Sequence, residues 1–184
     1  MYKGYEAKHM FMAAAIGILF LSPILLLLIP SFVANSIHHT DSWFVIVPGK
    51  SYAVYALGFL FLFLAALIPF LLDVRKKSIL ISVIFFLLSS TSFVIASQAY
   101  TSLSDQSISY NYLLSNEPYT YSWDEIDQIV YYEIPREEGF SIYEFHFYDG
   151  NRIEITENGI IWGLRGQIRN RLEIANKFVE YVVR

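Results

Sequence analysis

Cysteine is absent from this chain, and charge is scarce: only 16% of its 184 residues are Asp, Glu, Lys or Arg. The first absence excludes disulfides, thiolate metal sites and cysteine nucleophiles together. It fits compartments on either side of a membrane and does not choose between them. The second is uneven. An ordinary soluble domain is about 25% charged, and the shortfall here is concentrated in the first hundred residues, where three long runs carry no charged residue at all.

Also missing are the motifs of common chemistries. There is no G-x-S-x-G, no H-E-x-x-H and no phosphate-binding glycine loop. Asp124, Glu125 and Asp127 look like half of a calcium loop but lack its glycine and distant glutamate. His38 and His39 with Asp41 suggest a metal site only weakly, because adjacent histidines do not easily face one ion. His146 falls on the polar face of an alternating segment, expected opposite Glu154, as an ordinary exposed histidine. The expectation is a non-enzymatic protein with no cofactor and no metal.

The hydrophobic runs set location. Met10 to Ile29, Tyr52 to Leu72 and Ile79 to Ala96 are each close to the ~20 residues that a bilayer-spanning helix needs. The first run is too long for a signal-peptide core, and Ala34 offers a poor cleavage site. Basic residues set direction: Lys3, Lys8, Arg75, Lys76 and Lys77 fall on one side of alternating helices, and the Ser31–Ser51 segment, read as a loop, contributes only Lys50. Short cytoplasmic loops carry the positive excess. The expected topology is therefore a multi-pass cell-membrane protein with a cytoplasmic amino terminus and an extracytoplasmic carboxyl half. Trp43, Tyr52, Tyr55 and Tyr100 would sit near the outer interface. Without ionisable groups inside the spans, a self-sufficient channel or transporter is disfavoured. Ser89 to Ser92, and Ala13 with Gly17, suit close helix packing within the unit or docking onto another membrane subunit.

Residues 1–99 thus form a three-helix transmembrane region and 100–184 an extramembrane domain. The latter reads as five to seven short strands. Tyr143, Phe145 and Phe147 share one face, Asp149–Gly150 marks a hairpin, and Ile153 and Ile155 answer inward. Leu164, Ile168, Leu172, Ala175, Val179 and Val182 then recur at helical spacing, predicting one amphipathic helix to the end of the chain.

"LSDQSISY", then "YSWDEIDQI" with Trp123, Ile126 and Ile129 inward, then a hairpin and a terminal helix: this order resembles the bacterial pleckstrin-homology-like domains found beside membrane helices. The resemblance implies a curved antiparallel sheet capped by a carboxyl-terminal helix, and a binding or scaffolding module. Some such proteins look like immunity factors against membrane-active bacteriocins. No basic phosphoinositide-binding loop is present, so that ligand is not implied.

Charge is segregated. Tyr100 to Asn158 holds twelve acidic residues against Arg136 and Arg152, while Gly159 onward holds five basic residues against Glu173 and Glu180. Asp124, Glu125, Asp127, Glu137 and Glu138 are therefore candidates for meeting a cationic peptide or membrane-protein partner, and the helix for leaning toward anionic headgroups. Nucleic acid is disfavoured by the net charge of −4. The expected function is binding of a partner or ligand at the membrane surface, in an accessory, sensory or immunity role; the alternative is a subunit of a transporter or other membrane complex.

Overall fold

The structure is a computed structural model that describes residues 2–38, 42–115 and 117–183, side chains of 2–6 excepted. The chain divides into two compact units: Met1–Leu103 with Tyr110–Pro118, and Ser104–Ser109 with Tyr119–Arg184.

Three helices dominate the first unit: α1 (Tyr2–His38), α2 (Gly49–Leu71) and α3 (Lys76–Gln98). All are long and apolar enough to cross a membrane. At 1.5 Å per residue α1 runs for about 55 Å, well beyond a hydrocarbon core of ~30 Å. It therefore takes in both basic leader residues and the stretch from Ser31 to His38 that reads as loop. Within the remainder of that segment Ser42–Ile46 forms a short strand, β1, built from the aromatic and β-branched run "SWFVI". It lies beside β2 (Tyr100–Ser104), which leaves α3 directly.

The helices pack through small residues and hydroxyls. Ser89 donates to the Gly58 carbonyl across the α2–α3 seam at 2.8 Å, and Ser82 donates to that of Ala65. Ser92 is buried too but bonds back to Leu88, while Ser90 and Thr91 face outward. Tyr55, expected at the interface, is instead buried near Phe93. At the opposite end of the helices Lys8 pairs with Asp73 at 2.7 Å, and Arg75 lies 3.8 Å from the same carboxylate. The Lys8 ammonium and its neighbours hold that carboxyl below its ordinary range, chiefly through the Lys8 hydrogen bond. Lys8 and Arg75, two of the basic residues that set the expected topology, thus meet at one carboxylate.

The second unit is α+β. Strand β3 (Ser107–Asn111) is divided between the units; after β4 (Tyr119–Ser122), a single 3₁₀ turn (Trp123–Glu125) leads into β5 (Ile126–Glu133), β6 (Ile142–Phe147) and β7 (Arg152–Thr156). Trp123, Ile126 and Ile129 are buried as their pattern predicts, and Trp123 donates its indole N–H to the Ser104 carbonyl at 3.2 Å. Tyr143 pairs with Ile155 and Phe145 with Ile153 in the β6–β7 ladder, so one sheet face is apolar. The Asp149–Gly150 turn closes that hairpin with Gly150 at φ +83°, where a side chain would be strained.

The chain's end departs from its periodicity. Helix α4 covers Gly159–Ile174 only, and Val179–Val183 is a strand, β8. The helix stops in a Schellman arrangement. Asn176 is left-handed at φ +54°, the Lys177 amide reaches the Leu172 carbonyl, and the Asn176 amide reaches that of Glu173. Val179 and Val182 keep a helical spacing from Leu172, but "VEYVV" is equally a strand, and pairing with β5 decides it. The sheet order is β7-β6-β5-β8, with β8 parallel to β5 and the remaining pairs antiparallel. The helix is therefore a crossover between two strands and not a terminal cap.

Candidate ligand-binding cleft

The acidic residues singled out from the sequence do not converge. Asp124 and Glu125 sit in the 3₁₀ turn and Asp127 at the start of β5, whereas Glu137 and Glu138 lie in the turn beyond its other end. Eight strand residues separate the groups by roughly 24 Å. Glu125 is already engaged, accepting from the Ser122 amide at 2.7 Å and from the Ser122 hydroxyl at 3.0 Å.

His146 faces Arg152, and Glu144 faces Glu154, two residues from the expected pairing of His146 with Glu154. Glu144 is buried and takes Arg152 at 3.1 Å, with His146 at 3.5 Å. Among the described residues no serine hydroxyl is hydrogen-bonded to His146, and no group of three or more His, Asp or Glu side chains converges as a metal would require. His38 stacks on Tyr100 with centroids 3.8 Å apart, its Nε2 3.2 Å from the Ser97 carbonyl. His39, Asp41 and the side chain of Lys3 lie outside the described residues.

A different set of residues does converge. Asn158 caps α4, its side-chain oxygen accepting from the Ile160 and Ile161 amides at 3.0 and 3.1 Å. This starts the helix so that Trp162 and Arg165, three residues apart, share one face. The Arg165 Nε lies 2.6 Å from Glu157 Oε1. The guanidinium donates to the Tyr131 hydroxyl at 2.7 Å, and its Nε reaches that of Tyr143 at 3.4 Å. Tyr131 in turn donates to Glu157 Oε2 at 2.7 Å. Glu157 is buried, and these partners replace the water its carboxyl would otherwise bind. Burial, partly offset by Arg165, pushes the Tyr143 phenol up to about 12. Burial likewise raises that of Tyr131.

Above this network two cations lie near the Trp162 ring, Arg165 at 4.4 Å from its centroid and Arg136 at 5.9 Å. A cleft of about 600 Å³ opens there, reaching Ser141 and Phe140. Arg165 is committed to Glu157; Arg136 is exposed, and among the described residues it has no carboxylate within ion-pair distance. The arrangement suits an anionic group that pairs with Arg136 while an apolar or planar part lies against Trp162 and Phe140. It lacks a nucleophile held against a base. In the sequence Arg136 and Arg165 count only as charges, and Trp162 and Glu157 are passed over; the helical spacing of Trp162 and Arg165 was the available signal.

No family model matches the chain, and no curated protein matches it significantly.

Proposed function

We propose that this chain is a non-enzymatic integral membrane protein. Helices α1–α3 anchor it, and its α+β unit binds a ligand or partner carrying an anionic group, in an accessory, sensory or bacteriocin-immunity role. The observation that carries the proposal is Arg136, a cation without a carboxylate partner among the described residues, set over an exposed tryptophan at the mouth of a cleft. The basic leader and Arg75–Lys77 lie in the cytoplasm and the α+β unit outside. The pleckstrin-homology-like reading draws support from the buried Trp123, Ile126 and Ile129 and from the β6–β7 hairpin. Strand β8, parallel to β5 after the helix, departs from that pattern.

The test uses the full chain in nanodiscs, with Trp43 replaced by Phe so that Trp162 dominates the solvent-exposed emission. Inorganic phosphate, dihexanoyl phosphatidic acid and dihexanoyl phosphatidylcholine are titrated in turn. A saturable change with either anionic probe, absent with the zwitterionic lipid and lost in Arg136→Ala, supports the reading. The two anionic arms separate a free phosphate from a lipid headgroup. An unchanged response in Arg136→Ala, or none to either anion, overturns it.

Membrership of a larger complex has one observation in its favour. Ala13 is exposed and Gly17 has open space where a side chain would stand, so this small-residue pair packs against no helix of the unit. A transporter co-purifying at fixed stoichiometry in mild detergent would favour that alternative.

A further inference from the structure

The two edges of the second sheet are finished differently. At the β7 edge the apolar side chains are covered: Ile153 is 6% and Ile155 3% exposed, with the charged Arg152 and Glu154 between and beside them. At the β8 edge the same face stays open. Ile129 pairs with Val179 and Tyr131 with Tyr181, so Val179, Tyr181 and Val183 continue the core layer outward. Yet Tyr181 is 64% and Val183 79% exposed, and Phe178 just before the strand is 90% exposed. Helix α4 ends its coverage short of them. An edge strand also leaves backbone N–H and C=O groups unpaired on its outer side, and natural edges are normally blunted by charge, proline or a covering element. Here the charge on the strand, Glu180, turns to the other face and accepts from Gln128 at 2.7 Å.

Between α4 and β8 runs a groove of about 600 Å³. Its wall carries Arg165, Arg169 and Lys177 against one carboxylate, Glu173. Arg165 is taken by Glu157, and Lys177 lies over Tyr148, donating to its hydroxyl at 3.0 Å. Arg169 is exposed and has no carboxylate within ion-pair distance among the described residues.

An open strand edge, an uncovered apolar row and a basic wall call for one kind of occupant. We propose that β8 accepts an extended peptide segment of a partner protein as a further strand. Every second side chain of the added strand would lie on the face that Tyr181 and Val183 share with α4, acidic ones toward Arg169 and Lys177 and the following apolar ones over Tyr181 and Val183. Main-chain pairing supplies affinity and alternate side chains supply selectivity. The site lies on the other side of Arg165 from the Trp162 cleft and does not depend on the anion proposed there.

The full chain in nanodiscs is titrated with the fluorescein-labelled heptapeptide Glu-Thr-Glu-Thr-Phe-Thr-Ile, whose acidic and apolar side chains share one face of a strand. Two controls follow: the same peptide with Lys for Glu, and one with alternate amides N-methylated. Saturable binding is expected for the acidic peptide alone. It should fall at least about tenfold in Arg169→Glu. Hydrogen exchange should slow at Val179–Val183 and remain unchanged at Arg152–Thr156. Equal binding of the Lys peptide or of the N-methylated peptide overturns the proposal. So does protection of β8 by self-association of the chain without peptide, which would make a second copy the occupant.

Discussion

Ser89 on α3 donates its hydroxyl to the Gly58 carbonyl on α2 at 2.8 Å, and the ring of Phe93 packs where a Gly58 side chain would stand. The glycine and the serine are two halves of one contact. Removing the side chain from one helix lets the other come close enough for its hydroxyl to reach a main-chain acceptor that lipid cannot satisfy. The pattern repeats one heptad away with Ser82 and Ala65, and the next step in the other direction reaches Ser51 and Ala96, both buried.

This seam is sensitive to size more than to polarity. A β-carbon at Gly58 would approach Phe93 to 2.9 Å, so Gly58→Ala should destabilise by about 1–3 kcal/mol. Ser89→Ala should cost only about 0.6 kcal/mol. Thermal denaturation in detergent compares them, and Phe93→Leu should rescue Gly58→Ala. A Gly58→Ala protein as stable as wild type would refute the close approach.

The topology can be read directly because the chain has no cysteine to remove. Lys77 and Glu138 are both exposed, so Lys77→Cys and Glu138→Cys give clean reporters. In intact cells an impermeant maleimide should modify the second and spare the first until lysis. The reverse pattern would invert the protein.

Glu157 and Arg165 should behave as a unit. Arg165→Met leaves a buried carboxylate without its cation and should destabilise by roughly 3 kcal/mol, the low end for such pairs because the Arg165 side chain is 39% exposed. Adding Glu157→Met should recover most of the loss. If the double variant is no better than Arg165→Met, the pair is not coupled.

Acid stability should report on Asp149. Its carboxyl is held below its ordinary value first by the Tyr121 hydroxyl, which donates at 2.6 Å, and then by Asn151. A depressed folded-state pKa gives stability that is present above the unfolded value of about 3.9 and is lost as pH falls through the lower, folded one. Melting temperature should therefore fall below about pH 4. Asp149→Asn should flatten this part of the acid limb, and an identical pH profile in that variant would refute the assignment.

Asn176 decides where α4 ends. Its φ of +54° suits Asn or Gly and strains a β-branched residue, so Asn176→Val should cost about 1–2 kcal/mol while Asn176→Gly is neutral or mildly stabilising. Equal melting temperatures for the two variants would argue against the left-handed turn.

Much of this was legible in the order of residues. Trp123, Ile126 and Ile129 announce their burial by spacing, and Asp149–Gly150 announces its turn, because both depend on neighbours a few positions away. The carboxyl end was not legible in the same way. Val179 and Val182 satisfy a helical stripe and a strand equally, and only the β5 edge, fifty residues earlier, offers hydrogen bonds that choose the strand.

By itself, then, the sequence determined what must leave water: three uncharged runs, one alternating sheet face and the first part of α4. These follow from the local period of apolar side chains. The tertiary structure alone decided which polar groups meet. Arg165 reaches Glu157, Tyr131 and Tyr143 across two strands, and the acidic residues that look clustered in the sequence are held apart by the length of β5. Charge has no period to reveal its partner, so its pairing depends on how distant segments are brought together.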